Sequence, residues 1–203
     1  LVDCGLFQGG READRKNRGA LDFELRGIDF VLLTHAHLDH SGLLPRLVAL
    51  GYRGRIFATT ATVDLLGVML MDSAHIQEKE AEWALRDTRS RKAARRAEVA
   101  PLYTVEQART SLGRLVATDY DAWIEPGAGV RCRFRDAGHI LGSAIIEIDV
   151  GERGRMRRLV ASGDIGQPMR PVLRDPVRIA HADYLCVEST YGNRAHRSFA
   201  ATC

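Results

Sequence analysis

Three imidazoles and a carboxylate fall within six positions of one another in Thr34-His35-Ala36-His37-Leu38-Asp39-His40-Ser41-Gly42. Neutral imidazole and carboxylate are the donors that borderline divalent metals such as zinc take when no thiolate is offered. His35 and His37 can turn toward one ion from an extended stretch, and Asp39 and His40, just beyond, can serve a second ion beside it. Two ions about 4 Å apart would clamp a hydroxide nucleophile and the oxygens of a scissile ester. A lone loop histidine is usually solvated or satisfied by hydrogen bonds. A His-x-His-x-Asp-His cluster directly after an apolar run asks for another explanation.

Later segments offer further donors. Gly138-His139-Ile140-Leu141-Gly142-Ser143 sets a histidine between glycines at a strand-to-strand turn, where backbone can approach a metal closely. Ser162-Gly163-Asp164-Ile165-Gly166 sets a carboxylate, again between glycines, at the end of an apolar run. Each alone reads as a hydrogen-bonding turn residue; beside the histidine cluster they read as the rest of a metal site.

The elements that must position these groups are legible in outline. Ile28 to Leu33 is an apolar run of strand length, followed by the histidine turn and a helix over Ser41 to Leu50 ended by Gly51. Ile56 to Ala58 reads as a strand, with Thr60 or Thr62 capping a helix through Met71. Ser73 to about Val99 is helical and strongly charged, with Ile76, Trp83 and Leu85 as its apolar anchors. A second capped helix starts at Thr104, with Gln107 placed for a capping box. Trp123 to Glu125, Val130 to Phe134, Ala144 to Val150, Arg158 to Ser162 and Tyr184 to Glu188 then read as strands between Gly- and Pro-bearing turns. The order predicts an α/β fold rather than an all-β sandwich.

Composition narrows the class. The 203 residues are 45% hydrophobic and 27% charged, enough for one core, and a net charge of +3 names no polyanionic partner by itself. Cys4, Cys132, Cys186 and Cys203 form no CxxC pair, which argues against a disulfide framework or a thiolate zinc knuckle and points to a reducing, cytoplasmic compartment. No apolar run approaches the roughly 20 residues needed to cross a bilayer. The first residues lack a signal peptide's pattern, the chain opens without Met inside a strand-like stretch, and both ends read as cut.

Asp3 in Val2-Asp3-Cys4-Gly5, the His35 to His40 block, His139 and Asp164 resemble, in order and context, the four motifs of the metallo-β-lactamase superfamily. Cys4-Gly5-Leu6-Phe7-Gln8-Gly9, Ser73-Ala74-His75-Ile76-Gln77, Pro101-Leu102-Tyr103-Thr104 and Glu188-Ser189-Thr190-Tyr191-Gly192 look like its β-CASP branch of RNA-processing nucleases, which includes RNase J and the mRNA 3′-end endonuclease. The resemblance implies an αββα sandwich of which residues 1–203 are a partial domain, without the first strands, the β-CASP cap and the C-terminal part. It implies that His35, His37 and His139 bind one zinc ion, that Asp39 and His40 bind another, that Asp164 bridges them, and that Asp3 orients the ligand loop. Asp39 and Asp164 would position the nucleophile. Glu188 would be the acid that orients a proton-donating histidine, although as a bare residue it reads as a charge at a strand end. The implied activity is a ribonuclease: zinc-activated hydroxide attacks phosphorus in single-stranded RNA, in the cytoplasm, with no membrane partner and with room for a homodimer. Exonuclease and endonuclease modes both stay open.

The branch's two later histidines, a proton donor and a ligand of the second ion, have no counterpart here, so the second metal site is expected to be incomplete. His75 is expected to pack or hydrogen-bond on its helix, His181 to lie on the surface, and His196 to carry no assigned role. Arg86 to Arg96 holds six basic residues and one acid, a solvated helix face or a track for phosphates. Two rival classes share the core motif. A thioesterase or lactonase needs little more than His-x-His-x-Asp-His with one downstream His and Asp, although the glyoxalase-like members usually follow the motif with Gly-Gly where this chain has Ser41-Gly42. Diiron redox relatives carry a carboxylate where His37 stands, and non-catalytic scaffold homologues commonly lose several ligands that are kept here.

Overall fold

The computed structural model of the chain describes residues 1–19, 21, 23–87, 100–152, 154–190 and 192–193. In chain order these form α1 (Gly10–Gly19), a short 3₁₀ turn (Leu25–Gly27), β1 (Phe30–Leu32), α2 (Leu38–Ser41), α3 (Leu44–Ala49), β2 (Arg55–Thr59), α4 (Thr60–Asp87), α5 (Val105–Leu112), β3 (Leu115–Thr118), β4 (Ile124–Gly127), β5 (Val130–Asp136), β6 (Ala144–Glu152), β7 (Arg155–Ala161) and β8 (Tyr184–Cys186).

Val31, Leu32 and Leu33 are all buried, the continuous apolar run of a strand covered on both faces. β1, β2 and β3 form a parallel sheet in that order, with Val31 opposite Ile56 and Phe57 opposite Val116. Parallel neighbours need crossovers, and α3 supplies the first while α4 and α5 supply the second. The chain start runs along the free edge of β1, where Asp3 N–H donates to the Leu32 carbonyl at 2.9 Å. β4 to β7 form an antiparallel meander, and β8 adds parallel to β7.

Two apolar layers hold these parts together. One face of the parallel sheet packs under the helices: Val31, Leu33, Ile56 and Ala58 meet Leu44 and Leu47 of α3, Leu66 and Leu70 of α4, and Tyr103. Its other face meets the second sheet, where Leu32 and Phe57 pack with Cys132, Phe134, Ile146 and Ile148. The described residues thus make helix, sheet and sheet, with Ile179 and Ala182 covering Ala137, Ile145 and Val160 on part of the outer face.

Several boundaries differ from the sequence reading for local reasons. The helix expected over Ser41 to Leu50 is two pieces, α2 and α3, with Pro45 in the first turn of the second, where a missing N–H costs nothing. α4 is one helix of 28 residues, unbroken at Asp72 and capped by Thr59, whose hydroxyl accepts from Thr62 N–H at 3.3 Å, rather than by Thr60 or Thr62. Its expected continuation to Val99 runs into residues 88–99, outside the described ones. α1 and β3 were not anticipated. α1 is highly polar and buries only Ala13 and Asn17, whose side-chain amide pairs with both backbone groups of Phe7. The capping box of α5 is present in both directions, Gln107 N–H to Thr104 Oγ1 at 3.2 Å and Thr104 N–H to Gln107 Oε1 at 2.9 Å.

Candidate metal centre

Three loops meet where strands of the two sheets end. Past β1, Thr34 is stitched to the second sheet by Ala144 N–H, which donates to its carbonyl at 2.8 Å, and His35 is fully buried. The loop after β5 carries His139, whose N–H and that of Ile140 both donate to Ser143 Oγ, at 3.0 and 3.2 Å. The loop after β7 carries Asp164 and is tied to the His139 loop by Gly166 N–H, which donates to the Ala137 carbonyl at 2.8 Å.

Glycine is required here by neighbouring chain, not by a metal. Gly138 has φ +62°, and a Cβ there would stand 2.6 Å from the Arg174 carbonyl oxygen; Gly163 has φ +52°, and its Cβ would stand 2.7 Å from that of Thr34. Each glycine lets two loops close on each other and bring their donors together.

The donors converge. His35 Nε2 lies 3.0 Å from His37 Nδ1, and His139 Nε2 lies 3.2 Å from the same His37 nitrogen. Asp164 Oδ2 lies 3.8 Å from His35 Nε2 and 3.4 Å from His139 Nε2. These four ligand atoms all lie within 4.8 Å of one another. Tetrahedral zinc bonds of about 2.0–2.1 Å to nitrogen and oxygen imply edges of about 3.3–3.4 Å between ligands, and the separations here bracket that length. His35 Nε2 and His139 Nε2 both face His37 Nδ1, and a cation between the three nitrogens would take up all their lone pairs at once. The donor set therefore fits a divalent metal.

The reverse sides of the rings explain their orientation. Asp3, held at φ 54°, accepts from Thr34 N–H at 2.7 Å and from Thr34 Oγ1 at 2.8 Å. The Thr34 hydroxyl, spending its proton on Asp3, accepts from His35 Nδ1 at 3.0 Å. Asp3 Oδ2 also accepts from His40 Nδ1 at 2.8 Å. One carboxylate thus fixes the Nδ1–H tautomer of two histidines and leaves each Nε2 lone pair facing inward, the arrangement that raises a ligand's basicity. His40 Nε2 reaches 3.2 Å from Asp164 Oδ1, while the other oxygen of Asp164 serves the four-donor group.

Electrostatics follows burial. The His35 pKa is pushed down to about 2 by burial and then by the neighbouring His40, His37 and His139 rings. His37 is lowered by burial and by His139, against the pull of Asp39 and Asp164. Burial also presses on His40, but the Asp3 hydrogen bond and the carboxylates of Asp3, Asp164 and Asp39 outweigh it and raise the pKa. His35 and His37 are therefore neutral near pH 7, the form in which imidazole binds metal.

Residues 1–194 match the Metallo-beta-lactamase superfamily. The chain belongs to that superfamily. Among its relatives, Ribonuclease TTHA0252 of Thermus thermophilus is 38% identical over 202 residues, matching 100% of this chain and 40% of its own length. Transcription termination factor FttA of Methanothermobacter thermautotrophicus is 31% identical over 198 residues, matching 95% of this chain and 28% of its own. The chain thus spans less than half the length of these relatives. Among solved structures, the Rm3 metallo-beta-lactamase aligns with TM-score 0.47 at 19% identity, over 85% of this chain and 54% of that one.

In this metallo-β-lactamase domain the remaining candidates fall in three places. Asp39 is exposed and stands outside the four-donor group, which also leaves out His40. Glu188 lies beside the centre but faces the Asp164 loop: its Oε1 accepts from Ile165 N–H at 2.6 Å, and its own N–H donates to Ser162 Oγ at 3.1 Å. His75 and His181 are exposed, so the packing expected of His75 is not seen; helix register turns it outward while Ala74 is fully buried. His196 and most of the Arg86 to Arg96 stretch lie outside the described residues. Sequence reasoning gave no role to Thr34, whose signal is a hydroxyl directly before the first histidine, nor to Ser143 and Ser162, which hold the two later loops. Among the described residues no helix is long and apolar enough to cross a membrane.

Proposed function

We propose that this domain is the metal-binding part of a ribonuclease of the β-CASP branch that hydrolyses phosphodiesters in single-stranded RNA. The observation that carries the reading is the convergence of His35 Nε2, His37 Nδ1, His139 Nε2 and Asp164 Oδ2, with the second Asp164 oxygen turned to His40. The 38% identity to a protein named a ribonuclease supports RNA as the substrate. In this reading the metal is zinc and there are two ions: His35, His37 and His139 hold one, His40 and Asp39 hold the other, and Asp164 is shared. When bound, the ions supply an acidified water and neutralise charge that develops on the phosphoryl oxygens.

The protein's own groups do the rest. Asp3 and Thr34 hold two imidazoles in one tautomer, so the donor atoms need not reorganise. Asp164 and Asp39 would position the nucleophile. Glu188 fixes the loop that carries Asp164 through Ile165 N–H, which gives it a positioning role whether or not it also orients a proton donor. A cleft of about 770 Å³ opens from His139 and Asp164 past Glu188 to Thr190. Cys4, Cys132 and Cys186 are unpaired, which supports a reducing, cytoplasmic setting.

The test is metal-dependent cleavage of single-stranded RNA by the intact protein, with a thioester assayed beside it. Cleavage of RNA that is lost in His37→Ala supports the reading; RNA cleavage that survives the substitution, or a thioester turned over in its place, overturns it.

A further inference from the structure

The cleft beside the metal centre is lined by Asp164, Glu188 and His139 on one side and by the loop after Gly166 on the other. Among the described residues that line it, Arg170 is the only Lys or Arg. Resting on the ribonuclease reading, we infer that Arg170 binds a backbone phosphate of the RNA next to the scissile one, and so sets the preference for a polynucleotide over a simple phosphodiester.

The loop is built to present that side chain. Pro168 and Pro171 bracket it, fixing their own φ and disfavouring helical backbone at Gln167 and Arg170, the residues before them. Met169 and Val172 adopt left-handed backbone, at φ 62° and 74°, a costly conformation for side chains of that kind. Met169 N–H donates to Asp175 Oδ1 at 2.7 Å, which closes the loop. Both apolar side chains stand 90% exposed, so the conformation is not repaid by burying them.

The guanidinium itself is left available. Arg170 Nη2 donates to Gln167 Oε1 at 2.9 Å, and among the described residues it has no ion-pair partner, although Asp164 and Glu188 line the same cleft. An arginine that shares a cleft with two carboxylates yet stands more than ion-pair distance from either is displaced from the reacting centre. A planar fork of donors suits one phosphate in two-point contact. The phosphate that reaches it is therefore a neighbour of the one at the metals, and the contact adds to binding of the chain rather than to chemistry at phosphorus.

The experiment compares the metal-loaded intact protein with Arg170→Ala and Arg170→Lys on a short single-stranded oligouridylate and on bis(p-nitrophenyl) phosphate, which has no neighbouring phosphate. In Arg170→Ala the ratio of kcat/KM on RNA to that on the small diester falls about tenfold, through KM, and the slope of log kcat/KM against log salt on RNA shrinks by about 0.7, the share of one phosphate contact on a single strand. Arg170→Lys recovers part of the ratio. Equal losses on both substrates, or none on either, overturn the inference. If the unsubstituted protein cleaves the small diester but not RNA, the ribonuclease reading falls, and this inference with it; if it cleaves both and the ratio does not move, this inference alone falls.

Discussion

The outer face of the second sheet and the loop cluster at its rim both gather ionisable groups, and they are wired in opposite ways. On the sheet, Glu147 and Asp149 are nearly fully buried beneath arginines. Arg158 donates to Asp149 Oδ1 and Oδ2 at 2.7 and 2.9 Å and to Glu147 Oε1 at 3.2 Å, while Arg133 reaches Glu147 at 2.6 Å and Arg131 reaches Asp149 at 3.0 Å. Trp123 lies under the guanidinium groups of Arg131 and Arg133, at 4.4 and 4.7 Å from its ring centre. Every acceptor there meets a donor of opposite charge. At the loop cluster the inward atoms are ring nitrogens and a carboxylate, while the Thr34 hydroxyl and the Nδ1–H of His35 and His40 are spent on the reverse side. A lattice complete in itself is structure. A cluster that lacks only positive charge is a receptor for it.

Metal removal should separate the two regions most sharply. With zinc at 1,000 times its dissociation constant, the folded state gains about 4 kcal/mol. Chelation should therefore lower the unfolding midpoint markedly and abolish cleavage, and urea titrations with and without chelator measure it. An unfolding midpoint indifferent to zinc, nickel and manganese alike would mean that the imidazoles already satisfy one another, and the contrast would dissolve. Next in size, Arg158→Met should cost about 2–3 kcal/mol, because it strips three charged hydrogen bonds from two carboxylates that cannot reach water. Metal content should stay at the unsubstituted level, since the lattice and the centre share no side chain.

The histidine cluster was legible because covalent proximity forces it together. Four candidate ligands within six residues, after a run as apolar as Val31-Leu32-Leu33, converge in almost any fold that buries the run. His139 and Asp164 needed the meander, which brings the β5–β6 loop and the loop after β7 to the same rim; their glycines marked the loops but not what the loops meet. The sheet lattice was invisible. Arg131, Arg133 and Arg135 alternate with Val130, Cys132 and Phe134 as any half-solvated strand would, and only the register, Arg133 opposite Glu147 and Arg131 opposite Asp149, turns a charged stripe into buried ion pairs. The boundaries of α4 and α1 were missed for a related reason: tertiary contacts, such as Asn17 on the Phe7 backbone, decide whether a polar stretch is ordered, and local propensity does not.

Smaller effects test the wiring inside each region. Asp3→Asn replaces one accepting oxygen with an N–H donor, which must face either the Thr34 backbone N–H, in the place of Oδ1, or both the Thr34 hydroxyl and His40 Nδ1–H, in the place of Oδ2. Metal affinity should fall about 10- to 100-fold, measured by competition with a chromophoric chelator, while the metal-free fold keeps its stability within about 1 kcal/mol. A loss of stability as large as the loss of affinity would recast Asp3 as a fold residue.

The smallest expected effect is a pH response, and its range differs between the regions. Asp149 has its pKa lowered by the hydrogen bond from Arg158, which outweighs burial, together with Arg131. A carboxyl lowered in the folded state binds fewer protons there than in the unfolded chain, so its contribution is whole above the ordinary carboxylate value of about 3.9 and is lost as pH falls through the depressed folded value. The lattice should hold stability level from neutral pH down to about 4 and weaken below it. The metal centre responds earlier, because His35 and His37, lowered in the folded state, take up protons in the unfolded chain once pH falls below the free-histidine value of about 6.5, which withdraws stability from the fold that keeps them neutral. Unfolding midpoints measured from neutral to acid should therefore begin to fall below about pH 6.5, where the histidines of the unfolded chain protonate, and fall further below about 4 as the lattice protonates. In Arg158→Met the second fall should shrink and the first should not; if both move, the two regions are coupled and the lattice supports the centre after all.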